Sequence, residues 1–291
     1  MTAIVTVADD GGSSGRLRRA LGVLPPGDFR NCLAALADDE ALITQLFRYR
    51  FGGEGEIGGH SFGNLFILAM SEVTGSFERG LLASSQVLAV QGRVLPSTLE
   101  DVTLCAEVLA HNEQLAQKVA GESAIPETEG RIERVYLEPD DAPAYPGAVQ
   151  AILAADMIVA GPGSLFTSIL PSLLVRDLAA AVRTSRAIKV YVCNVATQPG
   201  ETDGFSVGDH VRALDNHTGG KLFPFVIANT RQTGTLLPTM DWTRLDMASN
   251  GSRDIISADL VDEDLPWRHE PGKLAVLLGR LLARKHRMIA I

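Results

Sequence analysis

Short apolar runs, each bounded by glycine or turn residues, recur along this 291-residue chain. Such runs, rich in Val and Ile, are typical of parallel strands covered on both faces. The clearest lie at residues 3–7, 156–160, 189–193 and 223–228. Helical patterns, in which apolar residues recur every three to four positions, lie at residues 31–50, 62–71, 77–88, 165–174, 177–185 and 208–217. This alternation predicts right-handed crossovers and an α/β fold with a Rossmann-like, doubly wound and mostly parallel sheet.

Residues 92–140 depart from that rhythm. Strand-like patterns at residues 93–96, 102–108 and 131–137 follow one another without a helical pattern between them. We therefore predict a small antiparallel β insert within a single domain spanning residues 1–291. An amphipathic helix followed by basic residues is predicted at residues 273–282.

The charge balance argues against nucleic acid as a partner. The chain has 26 Lys and Arg against 35 Asp and Glu, a formal net charge of −9, and an acidic surface repels a phosphate backbone. No window reaches the roughly 18 apolar residues of a membrane span, and no leader pattern follows Met1. Cys32, Cys105 and Cys193 are widely spaced, which favours buried thiols in a reducing compartment. We expect a soluble, cytoplasmic protein.

The first candidate site follows the first apolar run. Two carboxylates and then glycines and hydroxyls stand at the end of the predicted strand: Asp9, Asp10, Gly11, Gly12, Ser13 and Ser14. Backbone N–H groups and hydroxyls in such a loop can hold a phosphate, and the carboxylates can accept from ribose or bind Mg²⁺. The same residues also favour a plain turn, so this stretch alone leaves both interpretations open.

Two further polar clusters open predicted helices. Asp28 is expected to cap the helix over residues 31–50, with Arg30 and Asn31 beside it facing either solvent or an anion. His60 and Ser61 lie with Asn64 in a glycine-containing stretch where the histidine can act as a general acid or base, or only as a loop hydrogen-bonding residue.

Two later strand ends carry the remaining candidates. Gly161, Gly163 and Ser164 follow one predicted strand and permit a close phosphate approach, whether or not Ser164 also caps the next helix. The end of the next strand carries four polar residues: Asn194, Thr197, Gln198 and Glu201. Ligands bind beyond the carboxyl ends of parallel strands. The loops should therefore converge on one crevice for a nucleotide-type ligand.

Five stretches, in order, resemble the YvcK-type gluconeogenesis factors, relatives of 2-phospho-L-lactate transferase. They are TVADDGGSSGRLR (6–18), PPGDFRN (25–31), GHSFGN (59–64), GPGSLFTSILP (161–171) and TQPGET (197–202). The resemblance covers residues 1 to about 230. It implies a Rossmann-like fold, a cytoplasmic location, binding of UDP-sugars such as UDP-glucose, and support of cell shape on gluconeogenic carbon sources. The related transferase implies Mg²⁺ held at Asp9 and Asp10.

Members of that family usually begin with an additional strand and a Gly-Gly-Gly-Thr-Gly loop, placed before the segment that starts here at Thr2. The expectation is therefore that this sequence lacks the first phosphate loop and that Asp9 and Asp10 end the second strand of the family fold.

Three hypotheses remain at this stage. The preferred one is a UDP-sugar-binding gluconeogenesis factor without an assigned reaction. The alternative is an Mg²⁺-dependent transferase acting on a nucleotide-activated donor. A nicotinamide-dependent oxidoreductase ranks last because the sequence offers no hydride-transfer partner. The base and sugar of the ligand, and the choice between a monomer and a homo-oligomer, stay open.

Overall fold

The computed structural model describes residues 1–37, 42–110, 113, 115–246 and 253–289. In these ranges the strands are β1 (Thr2–Val5), β2 (Arg93–Pro96), β3 (Thr103–Leu109), β4 (Gln117–Ala120), β5 (Arg131–Glu138), β6 (Met157–Ala160), β7 (Ile188–Val192), β8 (Phe225–Asn229) and β9 (Asp254–Ala258). The α-helices are α1 (Gly12–Leu21), α2 (Gly27–Leu36), α3 (Leu42–Arg48), α4 (Phe62–Thr74), α5 (Phe77–Val87), α6 (Pro146–Leu153), α7 (Leu170–Leu174), α8 (Arg176–Thr184), α9 (Val207–Thr218) and α10 (Pro271–Ile289). A π-helical turn, Leu165–Ile169, leads directly into α7.

The largest sheet contains four parallel strands in the order β6-β7-β8-β9. Val190, Tyr191 and Val192 of β7 are completely buried. Successive side chains of a strand point to opposite faces, and Tyr191 accordingly joins the main hydrophobic cluster while Val190 and Val192 join a second one. Both faces of β7 are therefore covered, which explains its continuous apolar run.

The remaining strands form two smaller sheets. β1 and β2 pair in parallel, with Ile4 opposite Leu95, and β3 pairs with β4 and β5 in an antiparallel sheet. The assignment of residues 93–96 to the antiparallel insert is wrong, because their hydrogen-bonded partner lies about 90 residues earlier in the chain. The predicted α/β class, with parallel strands and a small antiparallel sheet, is confirmed.

The helix predicted over residues 31–50 is wrong as a single element. α2 already ends at Leu36, where Ala37 is extended (ψ 167°), and α3 begins at Leu42. Residues 38–41 lie outside the described ranges. The expected cap by Asp28 is also wrong, because α2 begins at Gly27 with Pro26 in the cap position.

The described helices include no single helix that is long and apolar enough to cross a membrane. Leu165–Leu174 and Arg176–Thr184 pass that length and composition test only when joined across an 81° bend.

Candidate functional site

The Asp9-Asp10 loop turns the chain from β1 into α1. The chain stays buried through Val7 and Ala8 after β1, and α1 begins at Gly12, whose φ is +44°. Gly15 in the first turn leaves no room for a Cβ against the backbone carbonyl of Asp10. The glycines in this loop thus allow the tight packing that brings the N-terminus of α1, with its free N–H groups, beside the two carboxylates.

The two carboxylates point to different neighbours. Oδ1 of Asp9 accepts a hydrogen bond from the Gly11 N–H (2.9 Å), and Oδ1 of Asp10 accepts one from the Ser123 N–H (2.9 Å). A Cβ at Gly27 would lie 2.6 Å from Oδ2 of Asp9, which places that carboxylate against the start of α2. Asp9 therefore faces α2, whereas Asp10 faces the loop that follows β4.

A buried polar network joins the starts of α1 and α4. The Asn64 Nδ2 donates to the Ser13 Oγ (3.0 Å), which lies 3.0 Å from the His60 Nδ1. All three residues are less than one-tenth exposed. Burial, with smaller contributions from Arg16 and Arg50, lowers the pKa of His60. The imidazole is consequently neutral near pH 7, in an arrangement where the Ser13 hydroxyl can donate to Nδ1.

Several polar atoms of these loops are buried without a hydrogen-bond partner among the described residues. They are Nε of Arg30, Oγ of Ser61, Oδ1 of Asn64 and Oδ1 of Asn194. Buried polar groups are normally paired, and an orphan calls for a missing water, ion or ligand as its explanation. These four atoms all belong to residues that the sequence placed in the candidate site.

Arg30 packs across the first turn of α4 at Gly63, where a Cβ would meet the arginine Cγ at 2.8 Å. Its Nη2 donates to Oδ1 of Asn31 (2.8 Å), which is itself exposed. Burial and the neighbouring Arg50 lower the pKa of Arg30. Burial, followed by the nearby Asp9, raises the pKa of Asp28 to about 6.

The loops after β6 and β7 are joined by a second polar chain. The Gln198 Nε2 donates to the Ser164 Oγ (2.6 Å), and the Asn194 Nδ2 donates to the Gln198 Oε1 (2.8 Å). Ser164 precedes the π-helical turn without a side-chain cap hydrogen bond. Gly161 has φ +88° and lies so close to β7 that a Cβ would be 2.7 Å from the Val192 carbonyl oxygen.

Glu201 anchors the π-helical turn. Its carboxylate accepts from the Phe166 N–H (3.3 Å) and from the Thr167 hydroxyl (3.1 Å). Burial raises the pKa of Glu201, although these hydrogen bonds oppose that effect. The Thr197 hydroxyl accepts from the Asp241 N–H (2.9 Å), next to a bridge between Ala196 and Trp242. The predicted residues Thr197 and Glu201 therefore have structural partners.

The loop after β4 connects the two groups of residues and is not among the predicted site segments. Its Ser123 N–H binds Asp10, and its Pro126 carbonyl packs on Gly200 so closely that no Cβ would fit there. Burial, then Asp9, Asp28, Asp10 and Glu201 in that order, raises the pKa of Glu122 to about 7. Glu122 thus lies within electrostatic reach of both halves. A glycine, a carboxylate and a hydroxyl in succession at residues 121–123 were the available signal.

A sequence model of the family described as 2-phospho-L-lactate transferase CofD matches residues 1–252. The chain belongs to the CofD family. The CofD-type loops carry the Ser13 network, the Ser164 chain and the acidic residues described above.

Relatives and a solved structure agree with this CofD assignment. A Nostoc relative is 49% identical over 298 residues, which cover 98% of this chain and 64% of that protein. The gluconeogenesis factor of Bacillus subtilis is 48% identical over 230 residues, which cover 79% of this chain and 71% of that protein. A Bacillus halodurans crystal structure superposes with a TM-score of 0.89 at 40% identity, covering 95% of this chain and 90% of that one. The predicted resemblance is therefore confirmed, and the chain spans just under two-thirds of the Nostoc relative.

Proposed function

We propose that this protein is a gluconeogenesis factor that binds a nucleotide sugar of the UDP-sugar class. The observation that carries the proposal is the set of buried, unpartnered polar atoms on Arg30, Ser61, Asn64 and Asn194. A polar ligand that hydrogen-bonds these atoms removes their desolvation penalty, which is on the order of 1–3 kcal/mol for each group.

The start of α1 and the loop at Gly163 and Ser164 are the proposed diphosphate contacts. Free N–H groups at the N-terminus of α1 favour anions, whereas the Phe166 N–H of the π-helical turn is already bonded to Glu201. Gly11, Gly12, Ser13 and Ser14 stand at the start of α1. Asp9 and Asp10 then lie where a ribose or a metal ion can meet them.

Mg²⁺ is the proposed companion of the diphosphate. Among the described residues no group of three or more His, Cys, Asp or Glu side chains is placed to hold a metal. Mg²⁺, however, often takes only one or two protein carboxylates and completes its coordination with water and substrate phosphates. Asp9 and Asp10 each use Oδ1 for a backbone N–H. The Oδ2 atom of either carboxylate is the proposed ligand.

The local charge also favours a metal-bound diphosphate over a bare one. The Glu122 carboxylate is repelled by four other carboxylates, those of Asp9, Asp10, Asp28 and Glu201. A bare diphosphate would be repelled by this group, whereas Mg²⁺ reduces the negative charge of the ligand. Binding should therefore depend on Mg²⁺.

The test is thermal unfolding with UDP-N-acetylglucosamine or UDP-glucose, with and without Mg²⁺. A ligand that binds only the native state raises the unfolding free energy by RT ln(1 + [L]/Kd), so Tm should rise with UDP-sugar and more so with Mg²⁺. Gln198→Ala should reduce the rise. Gln150→Ala, a change of an exposed glutamine on α6 outside the candidate site, is the control. No Tm change with any UDP-sugar would reject the proposal.

A role in cell shape and in growth on gluconeogenic carbon sources, in the cytoplasm, is proposed from the names and resemblance of the relatives. Complementation of a bacterial strain that lacks its own gluconeogenesis factor tests it. The wild type should restore growth. Gln198→Ala, which is expected to bind UDP-sugar less tightly, should fail to restore it at an equal protein level.

An Mg²⁺-dependent transferase is the second candidate. Glu122 favours it, because a carboxyl whose pKa is about 7 suits proton transfer near neutral pH. The description of the matched family as a transferase also supports it. The reaction would transfer a group from a nucleotide-activated donor. Mg²⁺-dependent release of a nucleotide in the presence of an acceptor, lost in Asp10→Asn, would favour this candidate over binding alone.

A further inference from the structure

A second groove lies between β5 and the helices α7, α8 and α9, and its wall residue His217 packs edge-on against Phe166 of the π-helical turn. Its volume is about 590 Å³, within the range of small-molecule sites. Leu137, Leu173 and Leu174 contribute to its apolar wall. None of the residues predicted for the nucleotide site lines it.

Three guanidinium groups come to this groove from two elements. Arg134 belongs to β5, and Arg176 and Arg183 stand near the two ends of α8. The two lining carboxylates already have partners, since Asp140 pairs with Arg176 and Glu133 pairs with Arg131 at 2.6 Å.

Arg134 and Arg183 form no ion pair with an acidic side chain within the ranges that the structure describes. The Arg134 guanidinium lies over the Tyr136 ring, 5.1 Å from its centroid. Arg183 donates to the Thr218 carbonyl (2.6 Å) at the end of α9. Five N–H donors per guanidinium leave further donors for a ligand. In a chain of net charge −9, this groove is a local positive surface.

His217 fixes one wall of the groove. Its Nε2 accepts the Val135 N–H (2.9 Å) and its Nδ1 lies 2.7 Å from the Ala213 carbonyl oxygen, so the ring is neutral and both nitrogens are used. The wall is therefore preformed from β5 and α9, and an incoming anion meets the arginines without first ordering this side.

We propose that this groove binds a small metabolite that carries a phosphate monoester, held by Arg134 and Arg183. Guanidinium groups bind phosphate with parallel hydrogen bonds, and the leucines provide contact for the carbon skeleton. The site is separate from the nucleotide-sugar site, and the proposal does not depend on that function.

The probe is glycerol 3-phosphate, with glycerol as the uncharged comparison, titrated by calorimetry at constant ionic strength. Saturable binding of the phosphate and none of glycerol is expected. Arg134→Gln combined with Arg183→Gln should weaken it by about tenfold or more. Arg212→Gln is the matched control, because Arg212 is an exposed arginine of α9 that pairs with Asp209 outside the groove.

Circular dichroism melts establish that each variant is folded, and Arg134→Gln alone serves if the double variant is not. Glycerol 3-phosphate binding should persist when a saturating UDP-sugar is present, and the groove variant should keep its Tm rise with UDP-sugar. If the wild-type protein binds glycerol 3-phosphate but no UDP-sugar, the proposed function is rejected and the groove proposal stands. Three results would overturn the groove proposal. They are the absence of saturable glycerol 3-phosphate binding, equal weakening of binding in Arg212→Gln, and a wild-type dimer that dissociates in the groove variant, which would make the groove a subunit interface.

Discussion

Ser13 is the residue on which the network between α1 and α4 depends. Ser13→Ala removes the partner of the Asn64 amide and of the His60 ring nitrogen, both of which are buried. Leaving buried polar groups unpaired destabilises a protein by about 1–3 kcal/mol. The unfolding free energy in urea should fall by that amount, whereas exposed Ser168→Ala should change it by less than about 0.5 kcal/mol. Equal effects would contradict this role.

Glu122 should destabilise the folded protein at alkaline pH. Its pKa is raised to about 7 from an ordinary 4.5, so the folded state binds this proton more tightly than the unfolded state does. The penalty is absent at low pH and is fully present above about pH 7. Glu122→Gln should therefore raise the unfolding free energy at pH 8 by on the order of 1 kcal/mol, after discounting for solvent screening.

The measurement compares urea unfolding of Glu122→Gln with that of wild type at pH 8 and pH 4, with Glu127→Gln, an exposed change in the same loop, as the control. The gain should nearly vanish at pH 4, which lies below the ordinary pKa of 4.5, because the carboxyl is then protonated in both the folded and the unfolded state. A gain at both pH values would mean that the charge of Glu122 is not its cause.

At the level of elements, Gly200 determines how the loop after β4 docks on the loop after β7. Gly200 and Gly204 both have positive φ, +77° and +71°, but only Gly200 packs against the Pro126 carbonyl. Alanine at either position carries backbone strain of about 1 kcal/mol. Gly200→Ala should cost more and should weaken UDP-sugar binding, because it displaces the Glu122 loop. Urea unfolding and calorimetry of the two variants test this, and equal losses would contradict it.

The apolar pattern was sufficient for the elements whose signal is local. It predicted β7 and β8 from their continuous apolar runs, and α4 and α5 from apolar residues that recur every three to four positions. It missed α1, because Gly12, Ser13, Ser14 and Gly15 have low helix propensity and are held by tertiary packing. It misplaced β2 because pairing with β1 is decided by long-range contacts that no local pattern contains.

The candidate site was predictable to a similar degree. Strand-end loops with glycine and hydroxyl residues were found, since parallel topology brings such loops to one edge. Glu122 was missed because its position depends on how the antiparallel sheet docks. That docking depends on contacts between residues far apart in sequence, such as the hydrogen bond from the Ser123 N–H to Asp10.

At the scale of the whole molecule, two sets of buried and half-buried groups oppose each other in their response to pH. Burial lowers the pKa of His60, His210 and His217, and that of His269 to about 4. A histidine of lowered pKa contributes stability that is present above its ordinary pKa of 6.5 and is lost as the pH falls towards the folded value. The raised pKa values of Asp28 and Glu122 act in the opposite direction over a similar range.

The double variant Asp28→Asn with Glu122→Gln should uncover the histidine contribution. Its unfolding free energy should fall more steeply between pH 7 and pH 5 than that of wild type, because the compensating carboxyl protonations are removed. Urea unfolding at intervals across that range measures the slope, with the exposed pair Glu127→Gln and Glu129→Gln as the control. An unchanged slope would show that the two sets do not compensate.

The bridge between Ala196 and Trp242 gives the protein an optical reporter. The chain has two tryptophans. Trp242 is half-buried beside the Thr197 loop, whereas Trp267 packs in the second hydrophobic cluster with α10. In Trp267→Phe, the remaining indole emission comes from a single position next to the candidate site. Ligand entry can then be followed as a shift in fluorescence, without any label.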